Sequence, residues 1–191
     1  MEAPLHGDDP DQTQASLNAM RRLLEAAADL EIRDIVVPCV DHSSIQNIVA
    51  RSRFQQQLTE IIPDAEKLGV NLSLETDLGP DDFKALLAQL NSPKVTVNYD
   101  IGNSASLGYN AEEELGAYGP RISDIHIKDR TLGGGSVKLG TGNADLPEFF
   151  ALLSNLTYEG PFIMQAYRDD EGMSIFEEQL QWVRPFVEEM R

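Results

Sequence analysis

The sequence predicts an α/β fold built on a mostly parallel sheet, and three observations carry that expectation. Five short apolar runs rich in β-branched residues, at 35–40, 70–74, 95–99, 122–127 and 162–164, alternate with segments whose apolar residues recur at helical spacing. Each such alternation implies a crossover that returns the chain before the next strand, which makes neighbouring strands parallel and covers the sheet with helices. Finally, Glu75, Asp100, His126 and Gln165 lie at or near the ends of four successive runs. In a parallel sheet those four side chains reach one rim.

Taken in order, a polar opening at 6–11 gives way to Leu17, Met20, Leu24, Ala27 and Ala28 at helical spacing, then to the strand 35–40. Phe54, Leu58, Ile61, Ala65 and Leu68 mark a second helical face, Gly69 suits its C-terminal end, and 70–74 follows as a strand. Pro80 with Asp81 and Asp82 signals the start of the next helix, since proline costs nothing there and carboxylates favour the positive end of the helix dipole. Strand 95–99 comes next. A weaker helix at 112–118 precedes the strand at 122–127, and Pro147 opens a helix before 162–164. The last helix carries Ile175, Leu180, Val183 and Val187, with Pro185 expected to kink or interrupt it.

The chain has 191 residues and is 41% hydrophobic, enough for one domain with a sizeable core, and no linker or low-complexity tract divides it. A formal net charge of -17 repels nucleic-acid phosphates and anionic membranes, so neither is an expected partner. The single cysteine, Cys39, excludes an internal disulfide and lies in an apolar run, where a buried inert thiol is the expectation. No stretch has the length of a membrane span and no secretory signal opens the chain, so a cytoplasmic address is expected.

The segments VVPCVD, LSLET, NYDIGNS, DIHIKDR, GGGSVKLGTGNADL and FIMQAYRD, in this order, resemble the sugar phosphate isomerase/epimerase family of xylose isomerase-like TIM barrels. The resemblance runs from about Ala3 to the final helix, and Tyr99–Asn103 and His126–Asp129 are its most specific parts. It implies a partial (β/α) barrel of about five parallel strands with helices outside, one domain over 1–191 that lacks the first three strands. Open sheet edges of that kind favour self-association into a homo-oligomer.

The resemblance also implies that Glu75, Asp100, His126 and position 165 hold one divalent ion, for which Mn²⁺, Mg²⁺, Co²⁺ or Zn²⁺ suit carboxylate and imidazole ligands. The family's usual fourth ligand is Glu, whereas this chain has Gln165, whose amide oxygen can bind metal but cannot accept a substrate proton near neutral pH. The expected activity is a metal-dependent isomerase or epimerase on a sugar or sugar phosphate, with Glu75 removing the proton alpha to the carbonyl. Alternatives are a dehydratase or lyase of the same superfamily, or a non-catalytic remnant. Lys128, Arg130 and Arg168 are candidates to receive substrate oxygens or a phosphate, and Gly133–Gly135 could form an anion nest.

Each choice has a plainer rival. A strand-end carboxylate is usually solvated or caps a helix, and only the four in register outweigh that. Asn103 either holds substrate or shapes the turn after Gly102; Lys128 either faces the site or pairs with Asp124 or Asp129. His6 and His42 read as surface or loop residues, and Tyr99 and Trp182 as packing residues.

Overall fold

Asp9 starts the first helix: its carboxylate accepts from the amides of Asp11 and Gln12, and Pro10 fills the first helical position of α1, Pro10–Asp29. The computed structural model describes residues 4–165, 167 and 172–190, which fall into two compact units, Met1–Asn98 and Tyr99–Arg191.

In the first unit, α1 is followed by β1 (Asp34–Cys39), α2 (Ile48–Leu68), β2 (Asn71–Thr76), α3 (Pro80–Leu90) and β3 (Val95–Asp100), which runs on into the second unit. Asn47 caps α2 and Gly69 ends it at φ 74, a left-handed conformation that costs glycine little. β1 and β2 pair in parallel from Asp34↔Asn71 to Cys39↔Thr76, and β2 pairs with β3 in parallel from Leu72↔Val95 to Leu74↔Val97. Leu24, Phe54, Leu58, Ile61, Leu72 and Leu86 are fully buried beneath and between these elements. Cys39 is a buried free cysteine, and burial pushes its thiol well up from its usual value, so the inert reading holds. His6 lies in a turn, as expected of a loop residue, but is buried, its ring edge-on to Phe54. His42 is exposed, as expected.

The second unit begins with the last two residues of β3 and continues through α4 (Ile101–Leu107), α5 (Ala111–Tyr118), β4 (Ile122–Ile127), β5 (Asp129–Arg130), β6 (Ser136–Val137), α6 (Leu146–Leu153), β7 (Phe162–Met164) and α7 (Met173–Glu189). Strand order is β1-β2-β3 in the first unit and β3-β4-β7 in the second; β5 and β6 form a small antiparallel hairpin. β4 and β7 are parallel, from Ile125↔Phe162 to Ile127↔Met164, and the Gln165 amide extends that ladder to the Ile127 carbonyl at 2.9 Å. Tyr99 stacks on Phe149 with centroids 5.1 Å apart, and Phe150 stacks on Phe186.

α7 runs through Pro185 without a break, so the interruption expected there does not occur. Phe186 stacks on Phe150 and meets Trp182 edge-on, and this packing holds the last turn despite the missing amide. Trp182 itself is 39% exposed rather than buried, lying over Gly140, where an added Cβ would meet the indole at 2.8 Å. The glycine nest is not formed as an anion site, because the amides of Gly133 and Gly134 already donate to the carbonyls of Ser106 and Thr131. No helix among the described residues is long and apolar enough to cross a membrane.

Candidate metal centre

β3 ends in Asp100, which both terminates the strand and caps α4: its Oδ1 accepts from the Asn103 amide at 2.8 Å. That leaves Oδ2 pointing toward β4. His126, on the next strand, is buried, with Nδ1 3.9 Å from Asp100 Oδ2. Lys128, two residues further on, turns to the same side, as strand alternation requires, and its Nζ lies 3.4 Å from Asp100 Oδ2. Its partner is therefore Asp100 rather than Asp124 or Asp129. Gly102 is needed beneath it, since a Cβ there would come within 2.7 Å of Lys128 Cγ.

Gln165, just past β7, is exposed and spans the two groups. Its Oε1 accepts from Lys128 Nζ at 3.4 Å, and its Nε2 sits 2.9 Å from His126 Nδ1. An ammonium can only donate, which turns the amide oxygen toward Lys128 and the amide N–H toward the ring. Nδ1 is thus the acceptor nitrogen of the imidazole. Burial lowers the affinity of His126 for a proton, Asp100 and Asp124 oppose that, and Lys128 adds to it; the net direction is down from the ordinary value of 6.5. A neutral ring with a bare Nδ1 facing a carboxylate oxygen is a carboxylate/imidazole pair of metal-holding type. At about 2.0–2.2 Å from each atom, one ion can touch both across their 3.9 Å separation.

Around this pair, Arg130 donates to Asn103 Oδ1 at 2.8 Å and to the Gly134 carbonyl at 2.9 Å. Asn103 Oδ1 also lies 3.5 Å from Lys128 Nζ, while its backbone amide, on Asp100 Oδ1, shapes the start of α4. Asp129 faces away and accepts from the amides of Gly140, Gly142 and Ala144, which fixes the loop after the small hairpin. Arg168 lies outside the described residues. In the first unit, Glu75 is half-buried near the end of β2, opposite Pro38 of β1.

Sequence reasoning missed two buried groups. Glu114, on α5, accepts from the hydroxyls of Tyr99 at 2.6 Å and Tyr118 at 2.7 Å and from Ser104. Asp124, with its side chain only 1% exposed, has Oδ2 3.8 Å from His126 Nε2. The i, i+2 spacing of Asp124 and His126 on one strand was a signal that could have found the second.

Residues 2–186 match the xylose isomerase-like TIM barrel family. This chain belongs to that family. It is 29% identical over 187 residues to a putative L-ribulose-5-phosphate 3-epimerase of Haemophilus influenzae, covering 91% of this chain and 65% of that protein. It is 30% identical over 173 residues to an L-ribulose-5-phosphate 3-epimerase of Salmonella paratyphi C, covering 87% of this chain and 61% of the relative. The chain thus spans somewhat under two thirds of the length of these relatives. Among solved structures, the IOLI protein with a bound zinc atom superposes with TM-score 0.77 at 20% identity, over 98% of this chain and 73% of that one. A xylose isomerase-like TIM barrel protein of Mycobacterium smegmatis in complex with magnesium gives TM-score 0.75 at 19% identity, over 95% and 70%. These likenesses fix the fold as a xylose isomerase-like barrel with five parallel strands in this chain.

Proposed function

We propose that this chain carries the metal-dependent site of a sugar or sugar-phosphate epimerase or isomerase. Asp100, His126 and Gln165 supply ligands from the second unit, and Glu75 adds a carboxylate from β2. The observation that carries this reading is the bare Nδ1 of a buried, neutral His126 facing Asp100 Oδ2 at 3.9 Å. Two carboxylates and an imidazole suit Mn²⁺, Mg²⁺, Co²⁺ or Zn²⁺. Relatives named as L-ribulose-5-phosphate 3-epimerases and neighbours with bound zinc or magnesium agree with it.

When bound, such an ion polarises a substrate carbonyl and stabilises negative charge on its oxygen. The residues do the rest. Glu75 is the base that takes the proton alpha to the carbonyl, for which a half-buried carboxylate with one oxygen turned to substrate is chemically suited. Lys128 and Arg130, with Asn103 between them, bind substrate oxygens or a phosphate through charge-assisted hydrogen bonds. Gln165 would have to turn its amide to offer the oxygen to an ion, because its N–H engages the Nδ1 lone pair that His126 would give to that ion. Its neutral amide holds no exchangeable charge, so it is not a second base.

That last point favours a second reading, elimination of hydroxide from a polyol-derived ketone, which needs a single base. Product analysis separates the two. The chain loaded with Mn²⁺ is incubated in D₂O with a panel of ketoses and ketose phosphates, alongside Glu75→Gln. Deuterium entering alpha to the carbonyl, with an epimer or isomer as product, supports the proposal; a dehydrated product supports elimination; exchange at the wild-type rate in Glu75→Gln removes Glu75 as the base.

A further inference from the structure

We infer that Asp124 is the positioning residue of His126: it holds the imidazole in the tautomer that leaves Nδ1 bare, and so sets the affinity for a divalent ion. The inference rests on the metal centre proposed above. Alternation along β4 puts residues 124 and 126 on the same side of the strand, and the Asp124 side chain is 1% exposed. A carboxylate that deep is costly unless its oxygens are engaged. Ser123 Oγ donates to Oδ1 at 3.1 Å, while Oδ2 lies 3.8 Å from His126 Nε2.

The other side of the ring fixes where its proton sits. Lys128 Nζ is 3.4 Å from Gln165 Oε1, so the Gln165 amide nitrogen is the atom 2.9 Å from Nδ1. An amide N–H only donates, so Nδ1 accepts and the single proton of the neutral ring is on Nε2, the nitrogen turned toward Asp124. Both flanks demand the same tautomer. At 3.8 Å the Asp124 contact is an attraction between a charge and an N–H dipole, and a movement of about 1 Å makes it a hydrogen bond. Metal-binding imidazoles are oriented in this way by a carboxylate on the far nitrogen, and removing that partner weakens metal binding by roughly 10- to 100-fold.

The test reads the ring itself as well as the ion. Nitrogen-15 NMR of the metal-free full chain, labelled at histidine and recorded where the imidazole is neutral, reports which nitrogen carries the proton. The Nε2–H tautomer in the wild type is expected; the Nδ1–H tautomer overturns the inference. Asp124→Asn, which keeps the shape but can turn a donor toward Nε2, is expected to give a tautomer mixture and to bind Mn²⁺ roughly 10- to 100-fold more weakly by chelator competition. An unchanged tautomer and an affinity within about twofold of wild type, in a variant with a native-like amide spectrum, also overturn it. If the variant does not fold, the wild-type tautomer decides. A wild type that shows Nε2–H but binds no Mn²⁺ sinks the metal reading while leaving the role of Asp124 as the ring's anchor in place.

Discussion

Tyr99 and Asp100 are neighbours on one strand, and each leads to a different kind of carboxylate. Tyr99 donates to Glu114, which is also met by Ser104 and Tyr118, so every neighbour of that carboxylate in the cluster is a neutral hydroxyl. Burial raises the Glu114 carboxyl above its usual value even though those three hydroxyls pull it down, and burial, reinforced by the nearby carboxylate, keeps Tyr99 and Tyr118 protonated. Asp100 has one oxygen satisfied by the helix it caps and the other turned toward an ammonium and a bare imidazole nitrogen. Glu114 is spent on structure; Asp100 keeps one oxygen among groups of mixed charge, held by the Lys128 ammonium at 3.4 Å. Depth alone does not separate them, since both are buried. What separates them is the chemistry of their partners.

The largest effect is expected on turnover: Glu75→Gln should lower it by roughly 10²- to 10⁴-fold, the usual worth of a general base, with Mn²⁺ still bound. Steady-state rates and metal content on the same sample check this. Next, Glu114→Ala should cost about 3 kcal/mol or more in urea unfolding, because it orphans three buried hydroxyls at about 1–3 kcal/mol for each group left unmatched. The variant should keep Mn²⁺ affinity. A loss of Mn²⁺ binding in a folded Glu114 variant would erase the distinction between the two carboxylates.

A smaller change is expected from Lys128→Met. Removing an ammonium 3.4 Å from Asp100 Oδ2 relieves competition for that oxygen and should tighten Mn²⁺ roughly two- to fivefold, the worth of a partly exposed ion pair. The Michaelis constant for substrate should rise at the same time. Smallest is the pH dependence of stability. His126 is held below 6.5 by burial, so the unfolded chain binds its proton more readily; its contribution is present above pH 6.5 and is lost as pH falls through the lowered folded value. Glu114 has the opposite sign: raised above 4.5, it favours the fold below that pH and loses the contribution as pH rises through its raised value. Urea melts of wild type, His126→Gln and Glu114→Gln across this range should show each variant flatter than wild type in its own window.

Much of the fold was legible because it rests on local signals: β-branched runs, Gly69 at a helix end, Pro80 and Pro147 at helix starts. The ligand candidates were legible for the same reason, as strand ends are easy to find. What escaped was decided by tertiary contact. α4 forms from Gly102, Asn103 and Ser104, all poor helix formers, because Asp100 caps it and Lys128 packs over Gly102. Pro185 fails to break α7 because aromatic stacking holds its far side. The partner of Lys128 could not be read from spacing, since it comes from the neighbouring strand 28 residues earlier. Glu114 is one of three consecutive acids in the first turn of α5, and only the fold turns it inward.

The most direct test of the metal centre is an anomalous difference map from crystals grown with Mn²⁺. The account predicts one strong peak within bonding distance of His126 Nδ1 and Asp100 Oδ2, with the Gln165 amide oxygen completing the contacts. A peak on Nε2, a peak elsewhere with none at this pair, or no bound ion would contradict it.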